Sequence, residues 1–433
     1  MSQNPGLETC KLWQKIQASD LVSQQEVIQI NTTSTTEEAC MKLIEHGISS
    51  IPLYDQKSNS FLGLFDLNDL IKDINLCITK SGENSPTDTD TDVDPDYRPH
   101  FSKSKIKSFY HVDPLTVQIL KNSSSKDSPF DRSEDFTFLN KNVLKLSDIS
   151  TVNPFYALLP ESTLAQILDI FSTSVHRVAV MGDSSKIDGI LSQSTIIKYL
   201  VNSLSDFALF PEKSDKPSPY HSDPALTNLL NTSLSDLNLA YKTVWAVYPE
   251  TPVISALYIL EKYNFSSMPI IDHSNIIIGS LSLSDIKYLV LPKFRHLIDG
   301  TCLELVQEVR FYQGVNDGKD RAAVFSARPE DTLKFVMSKL AATSAHRIWV
   351  LSSKNSSSLV EDPSSANGEF EQPSIVHSAI NVLDQPNSLK RISRVGIAEG
   401  IVCGVVSLTD IIRALSKLTQ APARNSTDIS SLD

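Results

Sequence analysis

The chain has 433 residues, and 51 acidic against 39 basic side chains give a formal charge of −12, which argues against a general nucleic-acid binder with its basic patch for phosphates. The length suggests roughly two to four domains, and 41% hydrophobic residues supply apolar material for buried cores, so global disorder is excluded. No stretch approaches the roughly 20 apolar residues of a membrane-spanning helix, and Met1 to Glu8 lacks a basic region leading into an apolar run; the expectation is a soluble, intracellular protein with neither membrane nor nucleic-acid partners.

Taken in chain order, four segments repeat one pattern: a short apolar strand, an amphipathic helix, a second strand, a third strand ending near a glycine, and a second helix opened by a hydroxyl or carboxylate. The first repeat, expected over 12–78, reads VIQINTTSTTEEACMKLIEHGISSIPLYD and then FLGLFDLNDLIKDI. A linker over 79–140 carries an acidic, Ser- and Thr-rich tract from Lys80 to Asp96, expected to be disordered, as is Asn122 to Asp135. The second repeat, 141–206, reads PFYALLPESTLAQILDIFSTSVHRVAVMG and IDGILSQSTIIKYLVNSL. After a linker over 207–240, with Lys213 to Asp223 expected disordered, the third repeat at 241–292 reads TVWAVYPETPVISALYILEKYNFSSMPIID and IIIGSLSLSDIKYLV. A linker over 293–320 leads to the fourth, 321–418, reading AAVFSARPEDTLKFVMSKLAATSAHRIWVLS and IVCGVVSLTDIIRAL around an insertion at 352–394 expected to be disordered, before a tail at 419–433. Such an insertion is tolerable because loop-closure entropy grows slowly with length.

The anchoring glycines Gly63, Gly189, Gly279 and Gly404 lie 126, 90 and 125 residues apart, so repeats 1 and 3 are offset by 216 residues and repeats 2 and 4 by 215. A pair of repeats was therefore itself duplicated, giving two similar halves joined near Ser205 to Pro224. Within the repeats, Leu164, Ile167, Leu168 and Phe171 share one helical face, as do Leu333, Val336, Met337 and Leu340. Pro160-Glu161, Pro249-Glu250 and Pro329-Glu330 precede first helices, where proline and an early acid favour a helix start. Trp245 and Trp349 fall in or beside strands and read as core.

Chemistry concentrates where the third strand meets the second helix. There the chain has Asp66-x-x-Asp69, Ser192-x-x-Thr195, Ser282-x-x-Asp285 and Ser407-x-x-Asp410. The first residue can cap the helix, and an aspartate one turn in could accept two hydrogen bonds from a vicinal diol such as a ribose. The same spacing is also a plain capping box. A second constellation is His176-Arg177 in repeat 2 and His346-Arg347 in repeat 4, each at a strand start, where the odd repeats have Ser49-Ser50 and Ser266-Ser267. Arginine's planar fork suits phosphate oxygens. Asp69, Thr195, Asp285, Asp410, Ser282, Ser407, His176, Arg177, His346 and Arg347 are thus the candidate nucleotide-binding residues.

Signatures of catalysis are missing from the sequence. It has no GxxxxGK[ST], GxGxxG, HExxH, GxSxG or EF-hand loop. Its five cysteines are far apart with no CxxC pair, so neither a disulfide framework nor a zinc site is suggested and no metal is expected. Ser85, Ser128 and Ser218 each precede a proline and are candidate phosphorylation sites. A non-catalytic protein is expected, with no required cofactor.

The repeat pattern with its G-hh-S-x-x-D motif resembles the CBS domain, two of which form a Bateman pair. The resemblance implies an α/β fold of four CBS repeats arranged as two Bateman pairs in a pseudo-symmetric disc. The His-Arg dipeptides in repeats 2 and 4 are similar to those of the gamma subunit of AMP-activated protein kinase, implying AMP, ADP or ATP as a regulatory ligand. LWQKIQASDLV, NPFYALLPESTL, VHRVAV, NTSLSDL, GTCLELV and KLAATSAHRIWVL resemble more closely the fungal Sds/Moc-type family of four-CBS proteins, which implies a regulator of cell-cycle progression, cell separation and nutrient stress. It implies also inhibition of a type 2A-like protein phosphatase catalytic subunit, in cytoplasm and nucleus. Kinase gamma subunits carry an arginine where this chain has Ser49 and a Lys-Arg pair where it has Ser194-Thr195. Because the first half has lost that charge, nucleotide is expected in the second half, around Asp285, His346, Arg347 and Asp410. The alternatives are a true kinase gamma subunit bound to its protein kinase, and a phosphorylated scaffold with vestigial sites.

Overall fold

The computed structural model describes residues 12–23, 25–82, 137–147, 149, 155–182, 186–209, 223–273, 276–318, 324–352, 377–378 and 400–420. In repeat 1 the strands Ile30–Asn31, Ser50–Asp55 and Ser60–Asp66 form a sheet in chain order, the first pair parallel and the second antiparallel. Helix Thr36–Glu45 makes the crossover and Leu67–Gly82 follows the last strand. Repeat 2 has the same order in Ala157–Leu158, Arg177–Met181 and Ile187–Ser192, with helices Leu164–Ser172 and Gln193–Leu209. Repeat 4 repeats it in Ser326–Ala327, Arg347–Ser352 and Ile401–Ser407, with helices Leu333–Thr343 and Leu408–Thr419. In repeat 3 the hairpin Ser267–Ile271 and Ile277–Ser282 is joined to its edge by the single parallel bridge Val247 to Ile270, and Val253–Lys262 makes the crossover.

Each crossover helix starts later than its Pro-Glu step. Thr35, Thr163 and Thr332 are the N-caps, each accepting a bond from the backbone N–H three residues on, and Pro252 stands at the same place in repeat 3. The Pro-Glu steps have a different use, because each half exchanges segments between its two repeats. Segments ahead of one repeat dock on the other: Pro160 O accepts from Ser19 N at 2.9 Å, Pro249 O from Leu303 N at 3.2 Å and Pro329 O from Ser235 N at 2.9 Å. At all four docking points an antiparallel bridge joins the two segments, Gln17 to Thr163, Thr35 to Asn142, Ser233 to Thr332 and Pro252 to Thr301. A helix of five residues such as Ala18–Val22 does not persist alone in water; this docking holds it.

The exchange corrects the expected linkers. Stretches assigned to 207–240 and 293–320 hold the helices Pro224–Asn231 and Cys302–Asp317, whose apolar sides enter the cores of the partner repeats. Asp223, expected in a disordered tract, is buried, caps Ala225 N and accepts from Trp13 Nε1 at 2.9 Å. Helix Leu67–Gly82 reaches into the expected first linker. Within the expected disordered insertion, His377–Ser378 pairs in parallel with Trp245–Ala246. Ser85, Ser128 and Ser218, and most of the tracts expected to be disordered, lie outside the described residues.

The glycines share this origin. A Cβ at Gly189 would lie 2.4 Å from Val22 Cβ, one at Gly63 2.5 Å from Ser147 Oγ, and one at Gly404 2.0 Å from Ala240 O. Each glycine lets an exchanged segment from the partner repeat cross the third strand at van der Waals contact.

Two large cores join the halves. One combines repeats 1 and 3, including Leu43, Leu70, Ile74, Leu257, Ile286 and Leu305; the other combines repeats 2 and 4, including Leu164, Phe171, Ile197, Val336, Ile411 and Leu415. Polar groups reach across the same seams. Lys287 Nζ donates to Leu43 O at 3.0 Å and Ile48 O at 3.1 Å, and Arg413 Nε donates to Ser172 O at 2.9 Å, so each closes the C-terminal end of a helix in the other half. A third, smaller core lies between the sheets of repeats 3 and 4 and contains Val244, Ala246, Ile271, Ile277, Trp349, Leu351 and Val402. The four repeats thus form two interlocked pairs set against each other in a pseudo-symmetric disc. Among the described residues no helix is long and apolar enough to cross a membrane.

Candidate functional site

His176 and His346 stand at the inner end of each even repeat, where the second strand begins. Their carbonyls accept from Gln193 N at 3.2 Å and Leu408 N at 3.0 Å, the first residues of the second helices. This fixes both histidines beside helix N-termini, where the dipole favours anions. The following arginines reach across their own half: Arg177 donates to Ser49 Oγ and Arg347 to Ser266 Oγ. The serines that replace His in the odd repeats are therefore the arginines' acceptors.

The four residues face one another. Burial, and then the charges of Arg177 and Arg347, hold His176 down to about 4, with Asp66 opposing. The same direction holds for His346, lowered to about 4 by burial and then by Arg177, Arg347, His176 and Lys198. His346 is nevertheless exposed and the other three are half-buried, so the cluster reaches solvent and the arginines' repulsion persists there. Both imidazoles are neutral at pH 7. Burial lowers Arg347 to about 10, against the attraction of Asp410, and lowers Arg177 against that of Asp66; both remain cations. Two fixed forks, two imidazoles able to take up protons and two helix starts thus lie together, groups whose chemistry suits phosphate oxygens.

The aspartates adopt the capping arrangement, one of the two readings of their spacing. Asp285 and Asp410 turn back on their own helix starts: Asp285 Oδ2 accepts from Ser282 N at 2.8 Å and Ser282 Oγ at 2.8 Å, and Asp410 Oδ2 from Ser407 N at 2.8 Å and Ser407 Oγ at 2.7 Å. Asp69 Oδ2 accepts from Asp66 N at 3.1 Å, and Thr195 Oγ1 meets Ser192 Oγ at 2.9 Å. The capping box is realised. The other oxygens in the second half hold bases: Arg310 lies 3.1 Å from Asp285 Oδ1, whose side chain is fully buried, and Lys242 lies 2.6 Å from Asp410 Oδ1. Burial works against the Asp410 carboxylate, but Lys242 and Ser407 hold it below its ordinary value. Asp285 and Asp410, expected to face a nucleotide in the second half, each hold a base of the chain itself in this structure. Arg310 and Lys242, and Trp349, which donates to Ser280 Oγ at 3.3 Å, were not singled out as site residues. Their partners are far away in sequence and no local spacing signals them.

Burial raises the thiol of Cys40 to about 12 and that of Cys403 to about 11, and pushes Cys302 up further. None of these is a thiolate at neutral pH.

Comparison with known proteins gives the same architecture. The CBS domain model matches residues 18–75, 146–202 and 236–291; the fourth repeat, divided by its insertion, has the same strands and helices. Protein SDS23 of Vanderwaltozyma polyspora is 26% identical over 426 residues, covering 94% of this chain and 68% of that one. Protein SDS24 of Saccharomyces cerevisiae is 26% identical over 357 residues, covering 80% of this chain and 56% of that one. Among solved structures, a protein of Methanocaldococcus jannaschii proposed as an archaeal homolog of g-AMPK superimposes with a TM-score of 0.52 at 10% identity, covering 92% of this chain and all of that one. The chain thus carries three matches to the CBS domain model and is similar in sequence to the fungal SDS23 and SDS24 proteins.

Proposed function

We infer that this protein is a non-catalytic regulator that senses an adenine nucleotide (AMP, ADP or ATP) through its phosphates at the central cluster and acts on a type 2A-like protein phosphatase catalytic subunit in cytoplasm and nucleus. The observation that carries the ligand is the convergence of His176, Arg177, His346 and Arg347 from two repeats on one cluster that reaches solvent. The likeness to SDS23 and SDS24 supports the regulatory part. A ligand regulates only by binding two conformations with different affinity, and a cluster built from both halves responds to any change in their relative setting.

The test is thermal unfolding of the full chain with AMP, ADP and ATP. Ligand at a hundred times its dissociation constant stabilises the fold by about 2.7 kcal/mol, and the rise should be lost in Arg177→Ala with Arg347→Ala. Binding should strengthen from pH 7.5 to pH 6, because an anion favours the protonated forms of His176 and His346. No shift at millimolar ligand overturns the nucleotide reading. Affinity capture that recovers kinase subunits in place of a phosphatase would replace the proposed partner with the gamma-subunit alternative.

A further inference from the structure

The two halves treat the space around the central cluster differently. Trp349 and Ala179 hold the same place in their ladders, each one residue before the partner of the anchoring glycine, Val350 opposite Gly404 and Val180 opposite Gly189. In the second half Trp349 is 3% exposed and packs between the sheets of repeats 3 and 4, among side chains from both. Among the described residues, no corresponding buried cluster joins the sheets of repeats 1 and 2. The exchanged segments differ in the same sense. Lys242, on the segment that crosses repeat 4, takes Asp410, and Arg310, on the helix that crosses repeat 3, takes Asp285. The segment that crosses repeat 2 carries Gln25, whose amide pairs with Ile190 N at 2.7 Å and Ile190 O at 3.1 Å, and Thr195 replaces the carboxylate there.

We propose that the second half closes itself, with Lys242 and Arg310 as built-in cations on its two aspartates and Trp349 filling the gap between its sheets, so that a nucleotide anchored at the central cluster extends its sugar and base only into the first half. This rests on the nucleotide reading above. A ribose offers Asp410 two hydroxyl donors, whereas Lys242 already offers a charge-assisted bond on a tether, which costs no association entropy. Trp349 removes the apolar slot that a base needs.

The experiment is calorimetric titration of the full chain with AMP, comparing wild type, Lys242→Gln and Trp349→Ala with Lys242→Gln, each checked for fold by circular dichroism. Opening the second half should add a second binding event or raise AMP affinity about tenfold, equivalent to 1.4 kcal/mol. Unchanged stoichiometry and affinity in folded variants overturn the closure. A double-mutant cycle of Lys242→Gln and Asp410→Asn, read as shifts in Tm, serves if no form binds AMP. Coupling between the two then leaves Asp410 occupied by Lys242 and condemns only the nucleotide reading, while additive shifts overturn the closure itself.

Discussion

In the second half the sheets of repeats 3 and 4 meet through Trp349, Leu351, Ile271 and Val402, and both helix-start aspartates are ion-paired. In the first half Ala179 stands in the place of Trp349, and Thr195 in the place of Asp410. Arg177 there faces Asp66, a carboxylate where the other three repeats have serine at the helix start. The duplicated pairs thus keep one scaffold, yet one half has spent its polar and apolar groups on itself. The difference teaches that a repeated motif is read by what each copy already holds. Ser-x-x-Asp is intact in repeats 3 and 4, and there the carboxylates hold protein cations.

The comparison is broken most severely by removing Trp349. Trp349→Ala should cost about 3–5 kcal/mol of stability by denaturant unfolding, an effect with no counterpart at Ala179. Gly404→Ala follows at about 2–3 kcal/mol, because the added Cβ would meet the backbone oxygen of Ala240 at 2.0 Å. Gly279→Ala should cost less, since its Cβ would meet only the flexible end of Ile270 at 3.2 Å. If those two variants unfold at the same urea concentration, the exchanged segment does not explain the glycine. Lys242→Gln should cost roughly 1 kcal/mol, given the partial exposure of the pair. A separate effect, read as a slope and not as a single energy, is on pH dependence. His176 and His346 titrate near 4 in the fold and near 6.5 when unfolded, so the unfolded chain binds more protons in that window and stability rises with pH from about 4 to about 6.5. Replacing both by Gln should flatten that slope in pH-dependent thermal melts.

Most of the repeat architecture was legible in the sequence. The period of apolar residues, the anchoring glycines and the Ser-x-x-Asp steps gave four units in two halves, and each unit has the expected order of strands and helices. His176-Arg177 and His346-Arg347 were legible as a pair because they are duplicated, and the fold brings them together. What escaped was everything carried by contacts between repeats. Pro160, Pro249 and Pro329 looked like helix starts because proline and acid favour that locally, whereas their carbonyls receive segments from the partner repeat. The glycines gave no hint of Val22, Ser147 or Ala240 crossing over them. Arg310 stands in a stretch that reads as a linker and Lys242 at the very start of the third repeat, with no periodicity tying them to Asp285 and Asp410.

The exchange of leading segments bears on the order in which the molecule can be made. As the chain leaves the ribosome, the helix Ala18–Val22 has nothing to dock on until repeat 2 has emerged, and repeat 1 lacks Val143 and Leu146 until then. Even a finished first half exposes Leu70, Ile74, Leu164 and Phe171, whose cover comes from repeats 3 and 4. Leu415, almost the last described residue, belongs to that cover. Synthesis therefore holds large apolar faces open until nearly the whole chain is available, a state in which aggregation competes with folding. A stop codon placed before the helix Leu408–Thr419 would remove more than repeat 4, because repeat 2, built much earlier, would lose the surface that seals it.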